Sequence, residues 1–246
     1  MPSAKAVDGT GPRPRETAVP ARMAAWLVLG GWLAVAAGGD ISGARTGDDA
    51  AAAYEMARHY GGLTGAALDR QKSFDYMSKA AELGHGPAQV DLAFMYYNGN
   101  DRVPKDLSQA FRQFRKAAAG GSVIAQCMLG DFYGQGLGGA PRDDKEAFKW
   151  HRLAASGNDR CSPKSQYALY QAYAAGRGVA RDTRTAVAWL ERAAQAGNPV
   201  AQARLGRAYL EGDLVPIDLE QGKAWLKKSR EGVAPHDDEE EGAHDH

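Results

Sequence analysis

The apolar positions of this chain recur at helical spacing, and the pattern repeats along the sequence. In the stretch VAQARLGRAY, Ala201, Leu205 and Tyr209 are four residues apart, so they share one stripe of a helix. A leucine, or a methionine in the first copy, precedes a tyrosine by four residues in five places, with the tyrosines at Tyr60, Tyr96, Tyr133, Tyr173 and Tyr209. The pattern predicts five amphipathic helices of one kind.

A second helical pattern follows each of these tyrosines. An aspartate stands nine or ten residues after the tyrosine, and an aromatic residue or a glutamine stands seven residues after the aspartate. The aromatic or glutamine positions are 76, 113, 150, 189 and 225, and the steps between them are 37, 37, 39 and 36 residues. A period in this range indicates a solenoid of two-helix units, in which stacked neighbours bury the apolar faces that no unit can bury alone.

The residues between the helical stretches predict where each helix begins and ends. A glycine follows the tyrosine in most copies, and glycine tolerates the left-handed geometry of a helix C-terminus. The aspartates are interpreted as N-caps of the second helices rather than as catalytic acids, because a carboxylate there accepts bonds from free N–H groups at the positive end of the helix dipole. Alanine pairs, such as Ala193 and Ala194, should let the next helix approach closely.

This pattern resembles the Sel1-like repeat family, the short-loop relatives of tetratricopeptide repeats. The segments AQARLGRAYLEG and AYAAGRGVARDTRTAVAWLERAAQAG carry the family's Leu-Gly, Tyr, glycine turn, Asp, Ala, Trp and Ala-Ala positions. The resemblance covers residues 51 to about 232, with copies two to five clear and copy one weaker because it lacks the glycine turn. It implies an all-α, right-handed α/α superhelical solenoid of five two-helix repeats that acts as a non-enzymatic adaptor.

The two ends of the chain differ from the repeats. Arg13, Arg15 and Arg22 precede an apolar run at 24–37, which has the length of a signal-peptide core and is short for a membrane span. We assign residues 1–45 to a cleaved signal peptide, or to an uncleaved N-terminal anchor, with a linker. Either alternative places the repeats, residues 46–232, outside the cytoplasm, and only an anchor would contact a membrane. Residues 233–246 are predicted to be a disordered acidic, histidine-containing tail.

Composition and motifs argue against several functions. The chain has 30 basic and 30 acidic residues, so charge gives no indication of a nucleic-acid partner. It carries no Gly-x-Ser-x-Gly, His-Glu-x-x-His, phosphate-loop or dinucleotide motif, and GLGGAP at 136–141 is interpreted as a lengthened turn. His59, His85 and His151 are unclustered, and His151 is expected on a helix surface. We therefore predict no catalytic residue, no metal and no cofactor, although the tail histidines could hold a divalent cation loosely.

Cys127 and Cys161 are the only cysteines, and export would permit a disulfide between them. On equivalent repeat positions they differ by six residues, or roughly 9 Å at about 1.5 Å per residue. Adjacent helices add roughly 8–10 Å between axes, and a disulfide needs Cα atoms within about 7 Å. The spacing therefore argues against a bridge, unless the extra residues of the joint SGNDRCSPKSQ close the gap.

By analogy with tetratricopeptide geometry, the first helix of each unit should line a concave face that binds a protein or an extended peptide. Aromatic, amide and singly charged side chains of both signs alternate there, which suits such a partner better than nucleic acid. The predicted residues are Tyr54, Arg58, Phe94, Tyr97, Asn98, Asp131, Gln135, Tyr167, Gln171, Arg207, Leu210 and Glu211, and the same register also selects Val90 and Cys127. The alternative function is a cell-envelope or peptidoglycan-directed factor with hydrolase-like or β-lactam-related activity.

Overall fold

The computed structural model describes residues 42–63, 68–100 and 102–231. These residues contain ten α-helices and no strand. The predicted N-terminal segment, up to residue 41, and the tail from residue 232 lie outside these ranges. In chain order the helices are α1 (Ser42–Tyr60), α2 (Arg70–Glu82), α3 (Gly86–Asn98), α4 (Leu107–Ala119), α5 (Val123–Gln135), α6 (Asp144–Ala155), α7 (Ser162–Ala175), α8 (Thr183–Gln195), α9 (Pro199–Glu211) and α10 (Leu219–Glu231).

Helices that are adjacent in the chain pack against each other from α2 to α10, both within a repeat and between repeats. In the first repeat, Ala53 and Ala57 of α1 pack in one cluster with Met77 and Ala80 of α2. Each odd-numbered helix is therefore the first helix of a repeat, and each even-numbered helix is the second. The prediction of an all-α solenoid built from five two-helix repeats is confirmed.

The turn between the two helices of a repeat is held in the same way five times. The backbone N–H of the predicted aspartate donates to the carbonyl of the signature tyrosine, as from Asp106 to Tyr96 at 2.8 Å and from Asp182 to Tyr173 at 3.0 Å. The aspartate carboxylate then accepts from backbone N–H groups of the following first turn, at 2.9 and 3.0 Å for Asp106. The interpretation of the aspartates as helix caps is confirmed.

Glycines end most of the first helices, as the sequence predicted. Gly136, Gly176 and Gly212 adopt left-handed backbone angles at the C-caps of α5, α7 and α9, with φ of 70°, 70° and 72°. A side chain there would be strained, because L-residues rarely adopt this region. Residues 136–141, the segment GLGGAP, lie in the turn between α5 and α6.

The core is formed by small residues of the second helices and by leucines of the first. Both members of each predicted alanine pair are buried, and Leu129, Leu169 and Leu205 are at most 1% exposed. The signature tyrosines are half-buried and lie at the edge of this core. A phenylalanine of one repeat packs edge-to-face on the tyrosine of the next, in the pairs Phe74–Tyr96, Phe111–Tyr133 and Phe148–Tyr173.

A buried glutamine links successive repeats in three of the four joints. Near the start of α9, the side-chain amide of Gln202 donates to the carbonyl of Ala194 at the end of α8, at 3.0 Å. Gln89 and Gln166 make the same bond to the preceding second helix, at 3.2 Å each. The carbonyls at a helix C-terminus have no partner within the helix. The buried Ala194 carbonyl accepts from the Gly197 N–H and from Gln202, so the side chain supplies one of its two donors. At the remaining joint, Gln126 is only half-buried and its amide makes no such bond.

We predict that Gln202→Ala lowers the free energy of unfolding by about 1 kcal/mol, because the Ala194 carbonyl loses the Gln202 donor and keeps only the Gly197 N–H. Gln126→Ala, the matched control at the equivalent position, should change stability by less than about 0.5 kcal/mol. Urea unfolding followed by circular dichroism measures both. Equal losses in the two variants would contradict the assigned role of the bond.

Candidate partner-binding site

The odd-numbered helices are joined side by side by polar side chains that reach from one repeat to the next. The Tyr54 hydroxyl of α1 donates to the Asp91 carboxylate of α3 at 2.8 Å. Burial and this carboxylate raise the pKa of Tyr54 to about 12. Two further links join α5 to α7 and α7 to α9, by an ion pair of Lys164 with Asp131 and a 3.1 Å bond from Arg204 to the Tyr170 hydroxyl. The exposed side chains of the odd-numbered helices form what we call the odd-helix face.

All twelve predicted partner-binding residues lie on odd-numbered helices, and none of them is fully buried. The exposed ones are Arg58, Asn98, Gln135, Gln171, Arg207 and Glu211, and the half-buried ones are Tyr54, Phe94, Tyr97, Asp131, Tyr167 and Leu210. Val90 and Cys127, which the same register selected, are 9% and 0% exposed, so for them the prediction of an exposed position was wrong. They face the core because they lie nearer the helix stripe that carries the buried leucines.

The half-buried aromatic residues use part of their surface for packing. The Phe94 ring packs edge-to-face on Phe114 at 5.2 Å between centroids, and Tyr97 contacts Phe132 at 6.0 Å. Tyr167 packs on Tyr170, and burial raises its pKa. Only the remaining part of each ring is open to a partner, and partner binding by these residues stays a prediction.

A pocket of about 170 Å³ opens between α5 and α7, with α6 as its floor. Three predicted residues, Asp131, Gln135 and Gln171, contribute to its walls. The floor includes Ala147, Phe148 and His151 of α6. The remaining lining residues are Gly130, Gly134, Asp144, Ala168, Leu169, Ala172 and Arg177. The structure therefore brings together predicted residues of two neighbouring repeats.

Sequence reasoning missed Gly134 and Arg177 as parts of this pocket. The residues that follow the signature tyrosine in repeats one to five are Gly61, Tyr97, Gly134, Ala174 and Leu210. Comparison of this position across the repeats would have shown that repeats one and three lack a side chain there. Arg177 comes from the turn after α7, so a search limited to helix faces could not find it.

His151 is buried, at 8% exposure, and the expectation of a helix-surface position was wrong. Its ring lies directly over Gly130, where an added Cβ would be 2.4 Å from the ring, so the glycine of α5 makes room for it. The Nδ1 atom is 3.4 Å from the Ser165 hydroxyl, and Nε2 is 3.8 Å from the Asp131 carboxylate. Burial lowers the pKa of His151 to about 4, with the Asp131 carboxylate acting in the opposite direction and Lys164 adding to the decrease.

The contacts from Ser165 to His151 and from His151 to Asp131 have the same residue types as a hydrolase triad. Their geometry does not support acyl transfer. The Ser165 side chain is 0% exposed, so its hydroxyl has no path to a substrate carbonyl. The 3.8 Å separation between His151 and Asp131 is longer than a hydrogen bond. The three groups instead connect α5, α6 and α7 below the pocket.

Cys127 and Cys161 form a disulfide with Cα atoms 6.2 Å apart. The spacing of equivalent repeat positions would keep them apart, and the alternative left open by the sequence is the one that occurs, because the extra residues of the joint close the gap. Six residues, 156–161, connect α6 to α7, whereas residues 120–122 and 196–198 suffice at other joints. Asp159 accepts from the N–H groups of Cys161 and Ser162 at 2.8 and 3.2 Å, and this turn brings Cys161 back to α5.

Within the described ranges, no group of three or more His, Cys, Asp or Glu side chains could hold a metal ion. None of the helices found there is long and apolar enough to cross a membrane. The apolar run at 24–37 and the tail histidines lie outside the described residues, so both interpretations stay predictions.

The repeat units correspond to a known family. A model of the Sel1 repeat matches residues 50–85, 86–122, 123–159, 163–198 and 199–232. The chain belongs to the Sel1 repeat family. Each matched segment holds one pair of an odd-numbered and an even-numbered helix, so the resemblance and the five repeats inferred from the sequence are confirmed.

Two solved bacterial proteins are similar to this Sel1 repeat chain. A Sel1 repeat protein from Oxalobacter formigenes is 26% identical, with 76% of this chain and 75% of that chain covered and a TM-score of 0.67. The protective antigen c5321, present in uropathogenic Escherichia coli strains, is 31% identical with a TM-score of 0.65. The match covers 74% of this chain and 38% of c5321, so this chain spans well under half of that protein. No curated protein matches the chain in sequence.

We predict that reduction of the disulfide with dithiothreitol lowers the free energy of unfolding by about 2–4 kcal/mol, because the unfolded chain gains the freedom of a long loop. Denaturant unfolding with and without the reductant measures the change. The Cys127→Ala/Cys161→Ala variant is the control and should not respond to the reductant. Thiol titration shows when the wild-type disulfide is fully reduced. If the stability of this reduced protein equals that of the oxidised protein, the prediction is contradicted.

We predict that acid destabilises this fold partly through His151. The unfolded chain takes up this proton near pH 6.5, whereas burial delays uptake in the folded protein until about pH 4. The contribution of His151 is therefore fully present above pH 6.5 and is lost as pH falls through that window, by roughly 3 kcal/mol. The difference between the stability curves of wild type and His151→Leu should show this slope between pH 6.5 and 4 and be flat above pH 7. Parallel curves over the whole range would contradict it.

Proposed function

We propose that this Sel1 repeat protein is a non-enzymatic adaptor that binds a protein or peptide through the odd-helix face, outside the cytoplasm. The observation that supports it most is the open pocket between α5 and α7, whose walls carry exposed amide groups from two neighbouring repeats. In helix-pair superhelices the first helices line the concave side, which is the surface such solenoids use for binding. Sel1 repeat proteins generally bind proteins, which agrees with this proposal.

The rigidity of the odd-helix face also supports an adaptor. Polar links between α1 and α3, α5 and α7, and α7 and α9 hold neighbouring first helices together. A face fixed before binding loses less conformational entropy when a partner docks. The side chains that remain exposed on it are amides and single charges of both signs, which suits a polypeptide partner.

Two features support a location outside the cytoplasm. The Cys127–Cys161 disulfide is of the kind that forms and persists in oxidising compartments. The basic residues and the apolar run at 24–37 have the composition of an export signal. Neither the Sel1 match nor the described side chains favour the alternative of an envelope-directed hydrolase, because the serine of the one triad-like cluster is wholly buried.

The test is crosslinking of the protein in its native cell, followed by mass spectrometry that maps the crosslinked residues. We predict that crosslinks fall on the odd-helix face and that Asn98→Ala/Arg207→Ala weakens partner binding at least about fivefold, as expected for truncated contact residues. Asn98 and Arg207 are exposed and lie outside the pocket, so the double variant should fold normally.

The matched control for this test is Gln195→Ala/Arg184→Ala, which removes an exposed amide and an exposed arginine from the second helix α8. It should bind the partner as wild type does. Crosslinks confined to second helices, or an equal loss of binding in the control, would contradict the proposal.

A further inference from the structure

Gly134, which has no side chain, lines the pocket between α5 and α7. A Cβ added at Gly134 would meet only the Ala147 Cβ, at 3.7 Å, which is an ordinary contact. Gly130, one turn earlier, is different, because its Cβ would lie 2.4 Å from the His151 ring. Packing therefore explains Gly130 and does not explain Gly134. A glycine inside a helix is less favourable than alanine by about 1 kcal/mol, so Gly134 leaves space at a cost in stability.

The space is of the size of one apolar side chain. At about 170 Å³ it is comparable to an engineered protein cavity of about 150 Å³ that binds benzene. Ala147 and the half-buried Phe148 supply apolar surface to its lining. A leucine or phenylalanine side chain placed there would lose part of its contact with water, which stabilises it in proportion to the apolar area buried.

The charges around the pocket are balanced. Asp131 is paired with Lys164, and the two remaining charged residues of the lining, Asp144 and Arg177, have opposite signs. His151 in the floor is neutral near pH 7, because burial lowers its pKa to about 4. An uncharged side chain is therefore favoured over an acidic or a basic one.

Exposed amide groups of Gln135 and Gln171 flank the opening, one from each neighbouring first helix. Each amide carries a donor and an acceptor, which match the C=O and N–H groups of a peptide backbone. The backbone groups inside a helical ligand are already bonded within the helix, so an extended segment is the ligand that offers free backbone N–H and C=O groups to both glutamines.

We propose that this pocket binds an extended peptide segment, with one leucine- or phenylalanine-sized side chain in the space above Gly134 and the adjoining backbone bonded to Gln135 and Gln171. This inference rests on the proposed adaptor function and specifies the chemistry of the partner. The pocket then acts as the position that selects a partner sequence, and the rest of the odd-helix face adds contact area.

The first experiment is nuclear magnetic resonance of the full isotope-labelled chain with two blocked peptides, Ac-Gly-Gly-Leu-Gly-Gly-NH2 and Ac-Gly-Gly-Gly-Gly-Gly-NH2. The leucine peptide should shift the side-chain amide signals of Gln135 and Gln171 in a saturable way, and the glycine peptide should shift them at least tenfold more weakly at equal concentration. No saturable shift, or equal shifts with both peptides, would overturn the proposal.

The second experiment fills the pocket with Gly134→Leu, the residue that repeat five carries at this position as Leu210. Its melting temperature should equal or exceed that of wild type, because leucine favours the helix, and binding of the leucine peptide should fall at least tenfold. Gly47→Leu is the control, since Gly47 lies in α1 with no atom near its missing Cβ.

If Gly134→Leu fails to fold, Gly134→Ala serves instead, because the added Cβ fits without displacing its neighbours. Gly134→Ala should weaken peptide binding by a smaller factor than Gly134→Leu.

A Gly134→Leu protein that folds and binds the leucine peptide as wild type does would overturn the pocket assignment. The outcome also separates the two proposals. If Asn98→Ala/Arg207→Ala loses the cellular partner while Gly134→Leu retains it, the adaptor function stands and the pocket inference fails. If crosslinks do not fall on the odd-helix face at all, both fail.

Discussion

The backbone hydrogen bond from each aspartate to the signature tyrosine is the constraint on which the rest of this solenoid depends. The bond closes the turn between the two helices of a repeat, and it recurs in all five repeats at 2.8–3.0 Å. The same aspartate caps the second helix through its carboxylate, so one residue both closes the turn and starts the next element. Because every turn is closed alike, the helix pairs have similar shapes, and similar shapes can stack.

The joint between repeats three and four departs from this regularity. Its six-residue connection is twice as long as the connections at the neighbouring joints, and a loose joint would let α5 and α7 separate. Three interactions hold it instead, namely the Cys127–Cys161 disulfide, the ion pair of Asp131 with Lys164, and the contact of His151 with Ser165. The pocket between α5 and α7 therefore lies beside this bridged joint.

This combination suits a binding surface better than a catalytic centre. A pocket keeps its shape only if its walls are fixed by packing and by bonds behind them, and here the buried polar groups lie behind the walls. The exposed amides of Gln135 and Gln171 at the opening can both donate and accept hydrogen bonds. Recognition by shape and hydrogen bonding is what the described side chains provide.

The sequence by itself determined the repeat architecture, because the period, the capping aspartates and the terminating glycines are local signals that each act within a few residues. It also placed the twelve predicted contact residues on the first helices, since helical register follows from residue spacing. Only the tertiary structure decided that His151 is buried, that Cys127 and Cys161 meet, and that Gly134 lines a pocket. Each of these depends on how the irregular joint at 156–161 turns and on which side chain faces it from a neighbouring repeat. Such contacts join residues that are distant in sequence, so no local pattern encodes them.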